Sequence, residues 1–295
     1  MHTDNPGLLA PSEATLLMFA TDMDPETRKL VHVTYGAQGN GKRRIISIGT
    51  DAAHTDAVVA ADRPWADSPG LKGVTSPLMT LPVPGRDLVD GGSEHYLFWH
   101  DEGTKQLKYR TVRTVHGAPY TITPVTDDRA VSAHWEALKD VVWPVTSMPV
   151  PGRQGVDGRN ESYLFHYDTE GRLWYSTISI GRHPDHSDHS DHTDRANHAD
   201  HTDVLVTEAR PVADWWQASL KGIGQLMEIH PVPGRQNAGG ASEFYVFHQD
   251  GRPGTARKLT YRRIAVATDA EHADTLVTED RPVADWWSTS LKGVA

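Results

Sequence analysis

The string PVPGR occurs three times, at residues 82–86, 149–153 and 231–235, and a chain that repeats at a fixed interval builds its core by stacking copies of one supersecondary unit. Each copy is followed by a loop of equal length ending in glutamate (PGRDLVDGGSE, PGRQGVDGRNE, PGRQNAGGASE) and then by an aromatic run, HYLFWHD, SYLFHYD or FYVFHQD. A second shared string closes each unit: RPVADWWQASLKG from Arg210, RPVADWWSTSLKG from Arg281, and the weaker RPWADSPGLKG from Arg63 and RAVSAHWEALKD from Arg129. Four units result. Their closing lysines stand at 72, 139, 221 and 292, with spacings of 67, 82 and 71 residues. The longest interval holds a His/Asp-rich insertion, so the period is about 68 to 70 residues. In the first unit, Gly7 to Pro11 reads as the worn PVPG segment and SEATLLMFATD, from Ser12, as the aromatic run.

Within a unit the signals are those of strands, short runs rich in Val, Ile, Thr, Tyr and Phe bounded by Gly, Pro, Asp and Asn. The third unit predicts four of them, over 144–150, 162–167, 173–180 and 204–208, with a turn at 168–171. Tyr96, Leu97, Phe98 and Trp99 are apolar at consecutive positions, which requires cover on both faces of the sheet. Four sheets set radially, each packed on two neighbours, supply that cover. The expected fold is all-β, a single four-bladed β-propeller over 1–295. Its blades cover about 6–73, 74–140, 141–222 (with the insertion at 183–203) and 223–295. The closing string predicts a helix of two turns. The Gly171, Leu173, Tyr175 pattern resembles the blades of tachylectin-type propeller lectins, and the count of four resembles hemopexin-like propellers. These resemblances imply architecture and carry over no binding residue.

Composition narrows the chemistry. With no cysteine, disulfide staples, thiol nucleophiles and Cys-ligated metals are excluded. A net charge of −10 disfavours nucleic acid as a partner. No uncharged apolar stretch has membrane-spanning length and no leader is visible, which predicts a soluble, cytoplasmic protein without a membrane partner. No GxSxG, HExxH, P-loop or dinucleotide fingerprint is present.

Four residue sets remain. Arg86 with Glu94, Arg153 with Glu161 and Arg235 with Glu243 bracket the first loop of each unit and suit ion pairs that pin it. Alternatively Glu13, Glu94, Glu161 and Glu243 form an axial ring able to hold Ca²⁺. The connectors bring Arg63, Arg129, Arg210 and Arg281 together with Lys72, Lys139, Lys221 and Lys292 and with Trp65, Trp135, Trp215, Trp216, Trp286 and Trp287. That makes Arg129, Arg210, Arg281, Lys139, Lys221, Lys292, Trp135, Trp215 and Trp286 candidates for binding an anionic or planar ligand, while packing between blades is the competing role for the indoles. His95, His100, His134 and His230 break the repeat and are the candidates for a single catalytic site, whereas His166 and His248 share the position of Trp99. The insertion carries His186, His189 and His192 among aspartates, a composition that binds divalent metals. The same motif occurs singly at 51–56 and 269–274, so the insertion reads as a duplicated surface loop. The expected function is a lectin-like module for a small anionic or polyhydroxylated molecule or carbohydrate, with no cofactor required and a divalent metal as an option. The alternative is an enzyme, such as a lyase, isomerase or cyclase, with one site at a channel mouth; a purely structural or interaction propeller is the third class.

Overall fold

A computed structural model describes residues 15–24, 28–36, 41–50, 55–74, 77–87, 92–101, 103–115, 121–141, 143–182, 201–249, 258–268, 273–287 and 289–291. They form four antiparallel sheets whose strands follow one another in chain order. Blade one holds β1 (Thr15–Asp24), β2 (Arg28–Gly36), β3 (Lys42–Gly49) and β4 (Asp56–Pro64). In blade two, β5 (Pro77–Pro82), β6 (Gly92–Asp101) and β7 (Gln106–Val115) are followed by an interrupted outer strand. Its two pieces, β8 (Ile122–Pro124) and β9 (Arg129–Ala130), both pair with β7. Blade three holds β10 (Trp143–Val156), β11 (Arg159–Tyr167), β12 (Leu173–Arg182) and β13 (His201–Pro211). Blade four holds β14 (Gln225–Pro231), β15 (Ala241–Gln249), β16 (Leu259–Ala267) and β17 (Asp274–Pro282). The inner strands touch in a ring, β10 against β5 and β14, and β1 against the same two. This is the four-bladed propeller the repeats imply. No helix among the described residues is long and apolar enough to cross a membrane.

The consecutive apolar residues now have their explanation. Tyr96 and Phe98 enter the cluster between blades two and three, and Leu97 and Trp99 enter another with Trp65 and Leu71 of the preceding connector. Each inter-blade core receives one connector indole: Trp65, Trp135, Trp216 and Trp287, all at most 6% exposed. Burying an indole removes a large apolar area from water, and these rings meet their neighbours edge-on, as at Trp216 and Tyr163 with centroids 5.3 Å apart. The connector helices are shorter than expected: α1 (Val131–His134), α2 (Val212–Trp215) and α3 (Val283–Trp286) make one turn each, and unit one has two 3₁₀ turns. A second turn would carry away the indole that follows each helix, which is instead buried between blades.

The ring closes between blades four and one. Trp287 and Phe247 share a cluster with Val31, Val33 and Ile46, the Ser290 amide donates to Asp56 Oδ2 at 2.7 Å, and Arg44 Nη1 donates to the Ser290 carbonyl at 2.6 Å. The Asp56 contact recurs at two other joints, where Asp274 accepts from the Ser219 amide and Asp203 from the Ala137 amide. The closing aspartates of the short His/Asp motifs therefore act as caps for the preceding connector, and 201–203 belong to β13 rather than to the insertion. Burial opposes ionisation of Asp203, but the hydrogen bonds from His201 and the Ala137 amide hold its pKa below the ordinary value. At the same joint as Asp56, Gly234 of PVPGR has φ +71 and a Cβ there would stand 2.9 Å from Thr50 of blade one, so only glycine fits.

Blade one corrects the sequence reading. Thr15–Asp24 is the innermost strand, paired with Arg28–Gly36, so 12–22 does not correspond to the aromatic run. The register puts Leu30, opposite Ser47, where Glu94 stands opposite Arg113. Glu13 lies outside the described residues, and it precedes an inner strand instead of opening a second one.

The outer strands share one irregularity: Val59, Val206 and Val277 are bulged out of register at equivalent points. Bulges of this kind interrupt an edge that would otherwise pair with another chain. Beside the last two, Thr207 and Thr278 accept amide protons from the neighbouring strand through their hydroxyls, as Thr126 does in blade two.

Candidate functional site

The two WW pairs divide their rings. Trp216 and Trp287 are fully buried, whereas Trp215 and Trp286 are each 48% exposed. The helical turn produces this split, because adjacent residues on a helix point about 100° apart. Arg210 lies over the Trp215 ring with its guanidinium carbon 4.3 Å from the centroid, and Arg281 lies over Trp286 at 3.9 Å. Each arginine also donates a hydrogen bond to the hydroxyl of the core tyrosine beneath, Tyr175 or Tyr261. Burial raises the pKa of both tyrosines, keeping them neutral acceptors. The result is a tryptophan shelf with a fixed guanidinium, built twice, in adjacent blades. Trp135 corresponds to the buried member of the pair at 1% exposure. It presents no ring at the surface, and His134 occupies the place of Trp215. Trp65 is likewise buried and packs over Gly41, where a Cβ would overlap the indole at 2.2 Å.

Of the connector lysines, Lys139 pairs with Glu136, while Lys72 and Lys221 are exposed and Lys292 lies outside the described residues. Their backbone carbonyls have partners: Arg110 donates to Lys72 O at 3.0 Å and Arg262 to Lys221 O at 3.0 Å. These are buried arginines that the motif reading missed. Arg44, Arg110 and Arg262 occupy one position in the third strand of their blades and reach Asp62, Asp128 and Asp280 in the fourth. Arg44 and Arg262 do so through two hydrogen bonds each, the fork geometry that suits guanidinium and carboxylate. The hydrogen bonds from Arg44 hold Asp62 below its ordinary pKa. The third member of the group varies by blade: the Tyr35 hydroxyl 2.8 Å from Arg44, the Trp99 ring 4.9 Å from the Arg110 guanidinium, and His248 Nε2 3.1 Å from Asp280. The Gly224 amide donates to His248 Nδ1 at 3.4 Å, which leaves Nε2 as the protonated nitrogen facing Asp280. Blade three carries Ser176 and Ala209 at the Arg and Asp positions, so its His166, with a pKa lowered by burial, has neither of those two partners. The groups are structural, tying each blade to the connector before it. A constant interval of 18 residues between arginine and aspartate was the signal in the sequence.

The loop brackets are local. Arg86 Nε stands 3.4 Å from Glu94 and Arg153 Nε 4.0 Å from Glu161, whereas Glu243 pairs with Arg263 at 3.1 Å instead of Arg235. The loop itself is held by backbone bonds repeated in blades two and four: Glu94 N to Arg86 O and Glu243 N to Arg235 O, both 3.1 Å. Each of these glutamates is thus engaged within its own blade, and among the described residues no three His, Asp or Glu side chains are grouped as a metal cage. His186, His189 and His192 lie outside the described residues.

Of the four repeat-breaking histidines, His95 and His100 sit on β6, His134 on α1 and His230 on β14. His95 is buried on the face of β6 that also carries Leu97 and Trp99. His100 stacks on Trp143 with centroids 5.0 Å apart, His134 meets Tyr109 edge-on, and His230 is buried on the inner strand β14. Two residues before His230, on β14, is Glu228, which is in none of the four residue sets read from the sequence. Thr146 Oγ1 of β10 donates to Glu228 Oε1 at 3.3 Å, and the Met18 amide of β1 also donates to the carboxyl. Oε2 has no hydrogen-bond partner among the described residues. Full burial raises the pKa of this carboxyl well above the ordinary value, which favours the neutral acid.

No known protein family and no curated protein matches this sequence. Among solved structures, two variants of the levansucrase of B. megaterium superpose with a TM-score of 0.43 at 7% identity, covering 90% of this chain and 85% of theirs. A third variant gives 0.39 at 9% identity, covering 90% and 84%. The fold rests on the sheets themselves.

Proposed function

We propose that this propeller is a binding module and that its sites are the two shelves, Trp215 with Arg210 and Trp286 with Arg281, which take a polyhydroxylated or anionic small molecule with a flat apolar face, such as a sugar ring. The observation that carries the reading is the doubled, half-exposed indole under a positioned arginine. A large ring half left in water is not spent on the core, and exposed aromatic surface beside hydrogen-bond donors is what a pyranose needs. Doubling favours multivalent recognition over one asymmetric reaction centre. The test is a panel of pyranose mono- and oligosaccharides titrated by calorimetry. Binders should show two sites per chain, and Trp215→Ala with Trp286→Ala should abolish binding while lowering the melting temperature by only about 2–4 °C. Full retention of binding by the double variant would refute the reading.

A second reading, a one-site enzyme near the axis, draws on Glu228, a buried carboxyl whose Oε2 has no hydrogen-bond partner among the described residues, on a strand that also carries His230. It requires one ligand per chain and loss of turnover in Glu228→Gln with the shelves intact.

A further inference from the structure

We infer that the two shelves hold one chain molecule, an acidic polysaccharide whose rings carry carboxylates, with one ring on each indole and its carboxylate on the adjoining guanidinium. The inference rests on the shelf reading above and adds charge and length to it. Charge comes from a contrast inside each blade. In a protein of net charge −10, the inner arginines Arg44, Arg110 and Arg262 each have an aspartate partner. Among the described residues Arg210 and Arg281 have none: their contacts are the indole and a neutral tyrosine hydroxyl. The exposed acids beside them in sequence, Glu208 and Asp214 in blade three and Glu279 and Asp285 in blade four, form no ion pair with them among the described residues, and Asp274 and Asp56, whose charges reach Tyr175 and Tyr261, accept from the Ser219 and Ser290 amides. A guanidinium presents five N–H donors in a rigid fork, and the tyrosine uses few of them. The rest are fixed beside a stacking surface with no carboxylate spending them, and a carboxylate at the edge of a stacked ring matches that arrangement.

Length comes from the placement of the pair. RPVADWW is identical at 210–216 and 281–287 and absent from the other two connectors. Both shelves therefore belong to neighbouring blades, where the same backbone turn presents them by the same construction. Two identical sites for one sugar in one molecule are engaged together by a ligand that repeats, and linkage turns the second contact into an intramolecular one.

The probes are polygalacturonate, its fully methyl-esterified form, which removes the charge and keeps the rings, galacturonic acid monomer, and a sulfated polysaccharide. Polygalacturonate should bind at least 100-fold more tightly than the monomer, and its affinity should fall as salt rises. Arg210→Gln or Arg281→Gln alone should abolish most of the gain from length, and the pair should leave the esterified and acidic polymers indistinguishable. Equal binding of esterified and acidic polymers by the parent protein overturns the charge assignment while leaving the shelf reading standing. Equal binding of monomer and polymer overturns the bridging. Preference for the sulfated polymer over the carboxylated one overturns the carboxylate. If no probe binds, or if binding survives loss of both tryptophans, the shelf reading falls with the inference.

Discussion

Replacing Trp287 by alanine removes an indole that is 0% exposed and meets Tyr245, Phe247 and Tyr261 at centroid distances of 5.1, 5.4 and 5.9 Å. Truncating a buried tryptophan costs about 3–5 kcal/mol, the transfer loss and the cavity together. In a chain of this size each kcal/mol lowers the melting temperature by roughly 2 °C, so the expected fall is about 6–10 °C. Trp286→Ala, one residue earlier, gives up a half-exposed ring and an exposed cation–π contact at about 0.5–1 kcal/mol, a shift of roughly 1–2 °C. The comparison that tests the fold is Trp216→Ala, since Trp216 meets Tyr163, Phe165 and Tyr175 at 5.3, 5.5 and 5.7 Å. It fills the joint between blades three and four as Trp287 fills the joint that closes the ring. Urea unfolding followed by far-UV circular dichroism, which does not depend on the deleted fluorophore, measures all three. Equal costs, within about 1 kcal/mol, are expected for Trp216→Ala and Trp287→Ala if both joints are closed. A Trp287→Ala variant as mild as Trp286→Ala would refute ring closure through this indole, and a Trp286→Ala variant as costly as Trp287→Ala would refute the division of the pair into core and shelf.

Glu228→Gln should change the pH profile of stability. Because the folded-state pKa is raised, the native protein keeps a proton that the unfolded chain releases, so the stability present below the ordinary carboxyl pKa of 4.5 is lost as pH rises through the folded value. The glutamine variant should lose that decline and gain on the parent between acid and neutral pH; parallel profiles from pH 4 to 8 would show that the carboxyl is not held neutral. Asp56→Ala strips the acceptor from the Ser290 amide and should cost about 1–3 kcal/mol, as should Asp274→Ala at Ser219; a neutral result in chemical denaturation for either would remove the cap from the closure account. Excising 183–200 and joining Arg182 to His201, which face each other across the β12–β13 pair, through an Asn-Gly turn should leave the melting temperature within about 2 °C, whereas extending the cut through Asp203 should lower it further by removing the His201 packing on Trp135 and the cap on Ala137. Equal melting for both excisions would contradict those contacts.

The amino-acid sequence alone determined the number of blades, their order and the four strands in each, because PVPGR, the aromatic runs and the connectors are local signals repeated at a near-constant interval. It also contained the 18-residue interval of the buried Arg–Asp pairs, legible although no motif catalogue points to it. What only the tertiary structure decided were properties that depend on a neighbouring blade. Blade one has the connector but lacks PVPGR and the aromatic run, so the assignment of 15–24 as an inner strand comes from its contacts with β5 and β14 across the ring. Two adjacent tryptophans are identical in composition and propensity, and a single helical turn beside an inter-blade gap sends one into the core and leaves the other as a shelf. Arg44 and Arg210 are both strand arginines near an acid in sequence, yet Arg44 pairs with Asp62 and Arg210 has no acidic partner among the described residues, since ion pairing follows distance through space. Glu228 shows the same limit from the other side: in its strand it reads as a polar interruption, and its burial exists only because three inner strands meet around it. Periodicity records how a segment pairs with itself and its neighbours in sequence, while burial and charge balance are set by what the closed ring brings against it.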